Sequence, residues 1–297
     1  MMNVWKAVLY GIVEGITEWL PISSTGHMIL LNEFVRMDVP EEFWEVFLVV
    51  IQLGAVLAVI LHFIKQLWPI RRAEQLPLHG DKRHRKKHRR RRGQLILDRS
   101  VLKLWGMIII ACLPAVVIGL FFDDLFDALF YNAVSVAIAL IVFGIGFIVI
   151  ENRNRGKDAR VIYLDEIDWK TALMIGGFQV LAAIFPGTSR SGATILGALL
   201  IGVSRGVATE FTFFLSIPVM FGASLLKIVK FLKTGAFFTG AELSILLVGL
   251  VVAFSVSVFA IRFLLGYIRK HDFKPFGWYR IVLGIAVLVI FGIRGRI

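Results

Sequence analysis

The chain has 297 residues, of which 58% are apolar and 18% are charged. Soluble globular proteins are about 45–50% apolar and about 25% charged, so this composition excludes a soluble domain and a disordered chain. A single cysteine, Cys112, excludes an intrachain disulfide scaffold. Residues 71–99 hold 12 Lys/Arg and 3 Asp/Glu, so most of the net charge of +12 belongs to one basic loop.

Eight long apolar segments follow one another along the chain. They cover about 2–20, 43–68, 101–122, 133–150, 169–185, 207–232, 243–268 and 277–293. Most are close to the ~20 residues that cross a bilayer as a helix, and they lack the alternation of barrel strands. The sequence therefore predicts an all-α polytopic membrane protein.

The first and fifth segments end in sequences that break helices. One ends in Pro21-Ile-Ser-Ser-Thr-Gly-His27 and the other in Pro186-Gly-Thr-Ser-Arg-Ser-Gly-Ala-Thr194, and a short apolar stretch follows each. Such backbone is tolerated at membrane depth only where it lines a cavity or is buried in protein. We therefore predict two re-entrant helix hairpins and about six transmembrane helices, with eight plain transmembrane helices as the alternative.

The two broken segments also align with each other, which predicts an internal repeat. With Pro21 placed on Pro186, the matched pairs are Glu14 with Gln179, Ser24 with Ser189, Thr25 with Arg190, and Glu45 with Glu210. We predict one membrane domain over 1–297, with repeat one at about 1–151 and repeat two at about 167–297. Three crossings in each half make the repeat inverted, an architecture of many transporters.

Lysine and arginine concentrate in the loops 69–100, 151–168 and 269–276, which the six-helix arrangement places on one side of the membrane. Positively charged loops face the cytoplasm, so we expect these three loops there and both termini outside. The basic run 81–92 contains no aromatic residue. We interpret the loop 71–99 as a cytoplasmic topology determinant that touches anionic lipid, and we expect no nucleic-acid partner.

Two carboxylates lie inside the first apolar segment. Glu14 and Glu18 are four residues apart, so both project from one face of a helix. Ionised carboxylates at membrane depth are costly, and like charges at this spacing repel. A divalent cation, a shared proton or a nearby arginine would relieve both costs, whereas a wet helix end is the bland alternative.

The first loop combines the hydroxyls of Ser23, Ser24 and Thr25 with the imidazole of His27. A serine hydroxyl becomes a nucleophile when a base takes its proton, and histidine is the usual base near neutral pH. Histidine itself also accepts phosphoryl groups. The alternative is that these hydroxyls only cap the short helix that follows.

The second loop supplies a cation. The planar guanidinium of Arg190 matches phosphate oxygens, and the hydroxyls of Ser189, Ser191 and Thr194 surround it at a helix start, where backbone amides bind anions. An ion pair of Arg190 with Glu14 or Glu18 is the structural alternative. Together the two loops predict one polar site for a phosphate or diphosphate with a lipid tail, with Mg²⁺ or Ca²⁺ held by Glu14 and Glu18.

The stretch Glu14-Gly-Ile-Thr-Glu-Trp-Leu-Pro-Ile-Ser-Ser-Thr-Gly-His27 and the stretch from Pro186 to Thr194 closely resemble the two signature motifs of the bacterial undecaprenyl-diphosphate phosphatase (bacitracin-resistance) family. The resemblance extends over nearly the whole chain. It implies hydrolysis of the carrier lipid undecaprenyl diphosphate to undecaprenyl phosphate and inorganic phosphate, which recycles the carrier for cell-wall synthesis and confers bacitracin resistance. The functional positions that it implies are Glu14, Glu18, Ser24, His27 and Arg190.

The resemblance also implies a multi-pass protein of the bacterial plasma membrane, a site that opens to the exterior, and a homodimer. One mechanism lets Ser24, activated by His27, attack the terminal phosphorus. In the alternatives His27 activates water or attacks directly. Phosphate contacts are expected from Arg190, Ser189, Ser191, Thr194, Ser23 and Thr25. The competing function is a polyprenyl-phosphate transporter or flippase, which explains an anion site but gives a serine–histidine pair no role.

Overall fold

In the computed structural model, the described residues are 2–72, 95–235 and 237–295. Ten α-helices dominate these ranges: α1 Met2–Thr17, α2 Ser24–Phe34, α3 Glu41–Leu67, α4 Arg99–Phe130, α5 Ala133–Asn154, α6 Trp169–Ile184, α7 Arg190–Leu200, α8 Arg205–Lys233, α9 Gly240–Ile268 and α10 Lys274–Ile293. A short antiparallel hairpin pairs β1 Ile70–Arg72 with β2 Leu95–Leu97. The basic run 81–92 lies outside the described residues.

Six of the helices in this part of the chain are long and apolar enough to cross a membrane. They are α3, the first 21 residues of α4, α5, α8, α9 and α10. Large apolar side chains such as Leu61, Phe259 and Val282 are exposed on them, as expected of lipid-facing surface. The all-α polytopic fold is therefore confirmed, although α4 runs to Phe130, beyond its predicted end.

The remaining four helices form two pairs, α1–α2 and α6–α7, that break at the predicted loops. In each pair a serine with left-handed backbone caps the second helix: Ser23 has φ 74° and Ser189 has φ 68°. The Ser23 hydroxyl accepts a hydrogen bond from the Gly26 amide, and the Ser189 hydroxyl accepts one from the Gly192 amide, both at 3.2 Å. A helix cap thus reinforces the break that each proline begins.

These caps correct the predicted alignment of the two halves. The second loop has one residue more between its proline and its capping serine, so Ser23, and not Ser24, is equivalent to Ser189. Ser24 and Arg190 then occupy the same position, the first residue of α2 and of α7. The earlier match of Glu14 with Gln179 precedes this extra residue and is unaffected by it.

Helix packing follows the two-halves plan. α1 packs along α9, and in the same way α6 packs along α4; α5 packs against α10, and α3 against α8. The first helix of each hairpin thus rests on the fourth helix of the other half, α1 on α9 and α6 on α4, which interlocks the halves. Both breaks are thereby brought to the middle of the bundle.

Arg280 of α10 joins the two loops directly. Its side chain is fully buried, and its guanidinium donates hydrogen bonds to the carbonyls of Pro21 at 3.2 Å, Gly187 at 3.0 Å and Thr188 at 2.7 Å. Backbone carbonyls left by a helix break need donors at membrane depth, and one side chain provides them for both breaks. The position of each loop therefore depends on the other.

The contact between α6 and α4 predicts a sharp difference between two adjacent glycines. A Cβ at Gly176 would lie 2.2 Å from the Ala111 carbonyl oxygen, whereas nothing lies within 4 Å of a Cβ at Gly177. We expect Gly176→Ala to lower the melting temperature in detergent by about 5 °C or more, because the two backbones must separate. Gly177→Ala is the matched control and should be neutral or slightly stabilising, since alanine is the better helix former. Equal melting temperatures for the two variants would contradict this packing.

Candidate active site

The two hairpins meet at the carboxylate of Glu18, which follows directly after α1 and is buried. The Ser24 hydroxyl donates a hydrogen bond to Glu18 Oε2 at 2.7 Å, and Arg190 Nη2 donates one to Oε1 at 2.8 Å. The Ser191 hydroxyl donates to the backbone carbonyl of Glu18 at 3.1 Å. Ser24 from the first loop and Arg190 and Ser191 from the second loop thus all bind Glu18.

The electrostatics of this arrangement explain why a buried carboxylate is stable here. Ser24 and Arg190 are the first residues of α2 and α7, so two positive helix ends lie beside Glu18. The Arg190 guanidinium adds a full positive charge, and its side chain is only 13% exposed. The ion pair that the sequence offered as an alternative therefore forms between Arg190 and Glu18. Because phosphate binds at the same kind of helix end, the pair is compatible with an anion site.

Glu14 lies one turn before Glu18 on α1. Its side chain is 1% exposed, and within the described residues its Oε1 has no hydrogen-bond partner. Together with Ser24 and Thr25 it lines a cavity of about 450 Å³. A buried carboxylate oxygen without a partner is costly, so this oxygen is available to a ligand from the cavity.

The cavity has a polar and an apolar side. Glu41, Glu45 and Lys227 lie at its polar rim, where Lys227 Nζ pairs with Glu45 at 2.9 Å. Apolar side chains complete the wall: Met28, Trp44, Leu48 and Val49. This combination accommodates a charged headgroup that carries a hydrocarbon tail. Of the two glutamates that the repeat predicted, only Glu45 lines this cavity, and Glu210 instead interacts with Arg269.

Most of the hydroxyls expected to bind phosphate are used by the fold. Ser23 and Ser189 cap their helices, and Ser191 donates to Glu18. Thr194 Oγ1 donates to the Arg190 carbonyl at 2.9 Å and accepts from Thr212. Thr25 alone of these predicted phosphate ligands lines the cavity with Ser24. The others hold the loops in place.

Within the described residues, no hydrogen bond joins His27 to Ser24. Its Nδ1 lies 2.7 Å from the Ser23 carbonyl oxygen, and its Nε2 lies 2.7 Å from the Tyr279 hydroxyl. The hydroxyl of Ser24 is hydrogen-bonded to Glu18 instead. The expected hydrogen bond between Ser24 and His27 is therefore not formed, because each side chain is held by other partners.

The donor set for a metal is small. In the residues that the structure describes, no group of three or more His, Cys, Asp or Glu side chains could hold a metal ion. Glu14 and Glu18 remain as two carboxylates one turn apart, one of them with an unpaired oxygen. Such a pair fits Mg²⁺ or Ca²⁺, since Mg²⁺ in particular takes one or two carboxylates and completes its shell with water and substrate oxygens.

Three residues at the site were not predicted: Arg280, Tyr279 and Lys227. Arg280 and Lys227 are charges inside apolar segments, and that alone marks them as candidates for a functional or buried role. The sequence carries no comparable signal for Tyr279, because an aromatic residue near a helix end is common at membrane interfaces.

Comparison with known proteins identifies the family of the chain. Residues 7–286 match the family described as "Bacitracin resistance protein BacA". The chain is 58% identical to an undecaprenyl-diphosphatase of Desulfitobacterium hafniense, over 99% of this chain and 98% of the relative. It is 57% identical to undecaprenyl-diphosphatase 1 of Clostridium acetobutylicum, over 98% of each, and 53% identical to the undecaprenyl-diphosphatase of Enterococcus faecalis, over 97% and 96%. This chain therefore belongs to the bacitracin resistance protein BacA family.

Proposed function

We propose that this chain hydrolyses undecaprenyl diphosphate to undecaprenyl phosphate and inorganic phosphate. One observation carries the proposal beyond family membership: the Ser24 hydroxyl lies at the cavity and donates to a carboxylate that Arg190 holds in place. A transporter needs an anion site but no hydroxyl that is hydrogen-bonded to a base. This geometry favours the phosphatase over the flippase.

The contacts support Ser24 as the nucleophile and Glu18 as its base. The Oγ of Ser24 attacks the terminal phosphorus, while its proton passes to Glu18 Oε2 over the 2.7 Å hydrogen bond. The bond between phosphorus and the bridging oxygen breaks, and undecaprenyl phosphate leaves with that oxygen. Water then bonds to the phosphorus of the phosphoserine, and the P–Oγ bond breaks. Glu18 returns its proton to Oγ, and the proton that water loses goes to solvent.

Charge balance supports a divalent cation in the reaction. Among the described residues, three carboxylates, Glu14, Glu41 and Glu45, line the cavity with one cation, Lys227. Beside it, Glu18 is already paired with Arg190. A diphosphate would be repelled by this excess of negative charge. Glu14 and Glu18 would hold the ion, and a bound Mg²⁺ or Ca²⁺ would neutralise diphosphate oxygens. Arg190 and the first amides of α2 bind the terminal phosphate in this proposal.

The direction in which the cavity opens supports a site on the exterior face. The cavity is lined by the first half of α3, whereas the basic loop follows the other end of that helix. The basic segments after α5 and α9 lie at that other end as well, where they surround a separate cavity. With basic loops in the cytoplasm, the site opens outward from the plasma membrane. The homodimer stays a prediction of the family resemblance.

Removing the Ser24 hydroxyl tests the function and the nucleophile together. Purified wild-type protein in detergent should release phosphate from undecaprenyl diphosphate, and Ser24→Ala should lower kcat at least about 1,000-fold. Ser255→Ala is the matched control, because the one hydrogen bond of the Ser255 hydroxyl within the described part of the chain goes to the Val251 carbonyl of its own helix. It should retain wild-type rates.

A trapped intermediate decides between the nucleophiles. Rapid quenching of the wild type, in acid and in alkali, followed by mass spectrometry, should place phosphate on Ser24. Phosphate found on His27 would overturn the serine mechanism. A well-folded wild type that binds the lipid but releases no phosphate in detergent would overturn the phosphatase and favour the transporter.

Replacing Glu14 tests whether this carboxylate binds the divalent cation. Phosphate release should stop in EDTA and return on addition of Mg²⁺ or Ca²⁺. Glu14→Gln should raise the cation concentration for half-maximal activity at least about tenfold, because an amide is a weaker ligand than a carboxylate. Glu42→Gln, an exposed residue of α3, is the control and should leave that concentration unchanged. Full activity in EDTA, or identical cation titrations for the two variants, would rule out this site for the metal.

A further inference from the structure

Both ring nitrogens of His27 have hydrogen-bond partners within the protein. Nδ1 contacts the Ser23 carbonyl and Nε2 contacts the Tyr279 hydroxyl, each at 2.7 Å. The two rings are nearly parallel, with 8° between their planes and 5.6 Å between their centroids. Tyr279 therefore fixes both the position and the orientation of the imidazole.

These partners determine which nitrogen carries the proton. A carbonyl oxygen only accepts hydrogen bonds, so Nδ1 must be the donor to Ser23. In a neutral ring Nε2 is then the acceptor, and the Tyr279 hydroxyl donates to it. Among the described residues, the charged group that faces the ring is Arg280, from the same helix as Tyr279. Helix α5 contributes the apolar side chain of Leu140 beside Gly26. A second proton on His27 would place two cations together, and the described residues give His27 no carboxylate as an ion-pair partner.

The carbonyl that His27 holds belongs to the strained residue of the loop. Ser23 has φ 74°, a conformation that side-chain-bearing residues rarely adopt without support. It immediately precedes Ser24, so its backbone sets the direction of the Ser24 hydroxyl toward Glu18. In the second hairpin the position equivalent to His27 is Ala193, and the preceding carbonyls are held by Arg280 instead.

We propose that Tyr279 and His27 form a positioning pair that holds Ser23 in its left-handed conformation, and that His27 is not the base for Ser24. This inference rests on the proposed phosphatase function, with Ser24 as nucleophile and Glu18 as base. The chain of contacts runs from the Tyr279 hydroxyl through the imidazole to the Ser23 carbonyl, and the imine nitrogen that a base would need is already occupied.

The state of His27 can be measured without any assay of activity. The chain has six histidines, so ¹⁵N-histidine labelling with His27→Asn as the assignment variant identifies one ring. We expect a neutral imidazole with the proton on Nδ1 between about pH 6 and 8. Tyr279→Phe, which keeps the stacked ring, should shift the Nε2 resonance toward that of an unbonded imine nitrogen. A proton on Nε2 with Nδ1 bare, or a doubly protonated ring, would overturn the proposal.

Kinetics separate positioning from base catalysis. The asparagine amide of His27→Asn can still donate to the Ser23 carbonyl but cannot act as a base. We expect its kcat to be at least about tenfold above that of His27→Ala, with the wild-type pH profile and an unchanged KM. If His27 is the base, both variants should be equally inactive.

Removal of the Tyr279 hydroxyl should lower kcat about 3- to 10-fold, as expected for one lost hydrogen bond. Tyr267→Phe is the matched control, because Tyr267 also stacks on a histidine, His271, away from the site. It should retain wild-type kcat. Equal rates for Tyr279→Phe and the wild type would overturn the pair. If the wild type released no phosphate, the proposed function would fail, whereas the tautomer measurement would still report on His27.

Discussion

The site depends on one buried cation, Arg280. Its guanidinium has only carbonyl oxygens as hydrogen-bond partners within the described residues. One belongs to Leu140 of α5, and the other three, of Pro21, Gly187 and Thr188, belong to the two hairpin loops. The ring of Phe143 adds a cation–π contact at 5.8 Å. Burial of an unpaired charge is unfavourable, but the carbonyls exposed by two helix breaks at membrane depth would be unsatisfied without it. The hydrogen bonds between the guanidinium and the carbonyls reduce both costs at once. They also hold the two loops close together, so that Ser24 and Arg190 can bind the same carboxylate.

The two halves share a backbone plan but divide the chemistry. The first residue of the capped helix is Ser24 in one half and Arg190 in the other. One hairpin thus supplies the hydroxyl that we propose as the attacking group, and the other supplies a guanidinium. Glu14 corresponds to Gln179, whose buried amide atoms have no hydrogen-bond partner in the described chain. If the second hairpin carried acidic residues in place of Gln179 and Arg190, no cation from that hairpin would compensate the negative charges of Glu14 and Glu18. The symmetry of the fold thus brings the loops together, and the asymmetry of the residues makes them a site.

The features that were predictable from the sequence are those with a local cause. Apolar length gives the crossing helices, and the sequences around Pro21 and Pro186 give the breaks. Charge inside an apolar segment identifies Glu18 and Arg190, which do meet. The partner of His27 was not predictable, because it depends on the backbone angles of the preceding cap and on a tyrosine from a helix about 250 residues away. The predicted alignment of the two loops was wrong by one residue after the prolines. The length of each turn, rather than the position of its proline, sets the register of the helix that follows.

In the proposed mechanism, the acidic cavity accepts an anionic substrate because a divalent cation accompanies the substrate or is already bound. The carboxylates then contribute to selectivity, since a diphosphate without its cation is repelled while the neutralised complex is not. The same excess of negative charge acts after the anhydride bond breaks, because the charge that the two phosphate products carry is greater than that of the diphosphate. Their mutual repulsion, and that of the carboxylates at the rim, favours departure of the lipid product along the apolar wall. The negative charge that makes the empty site costly therefore also favours turnover.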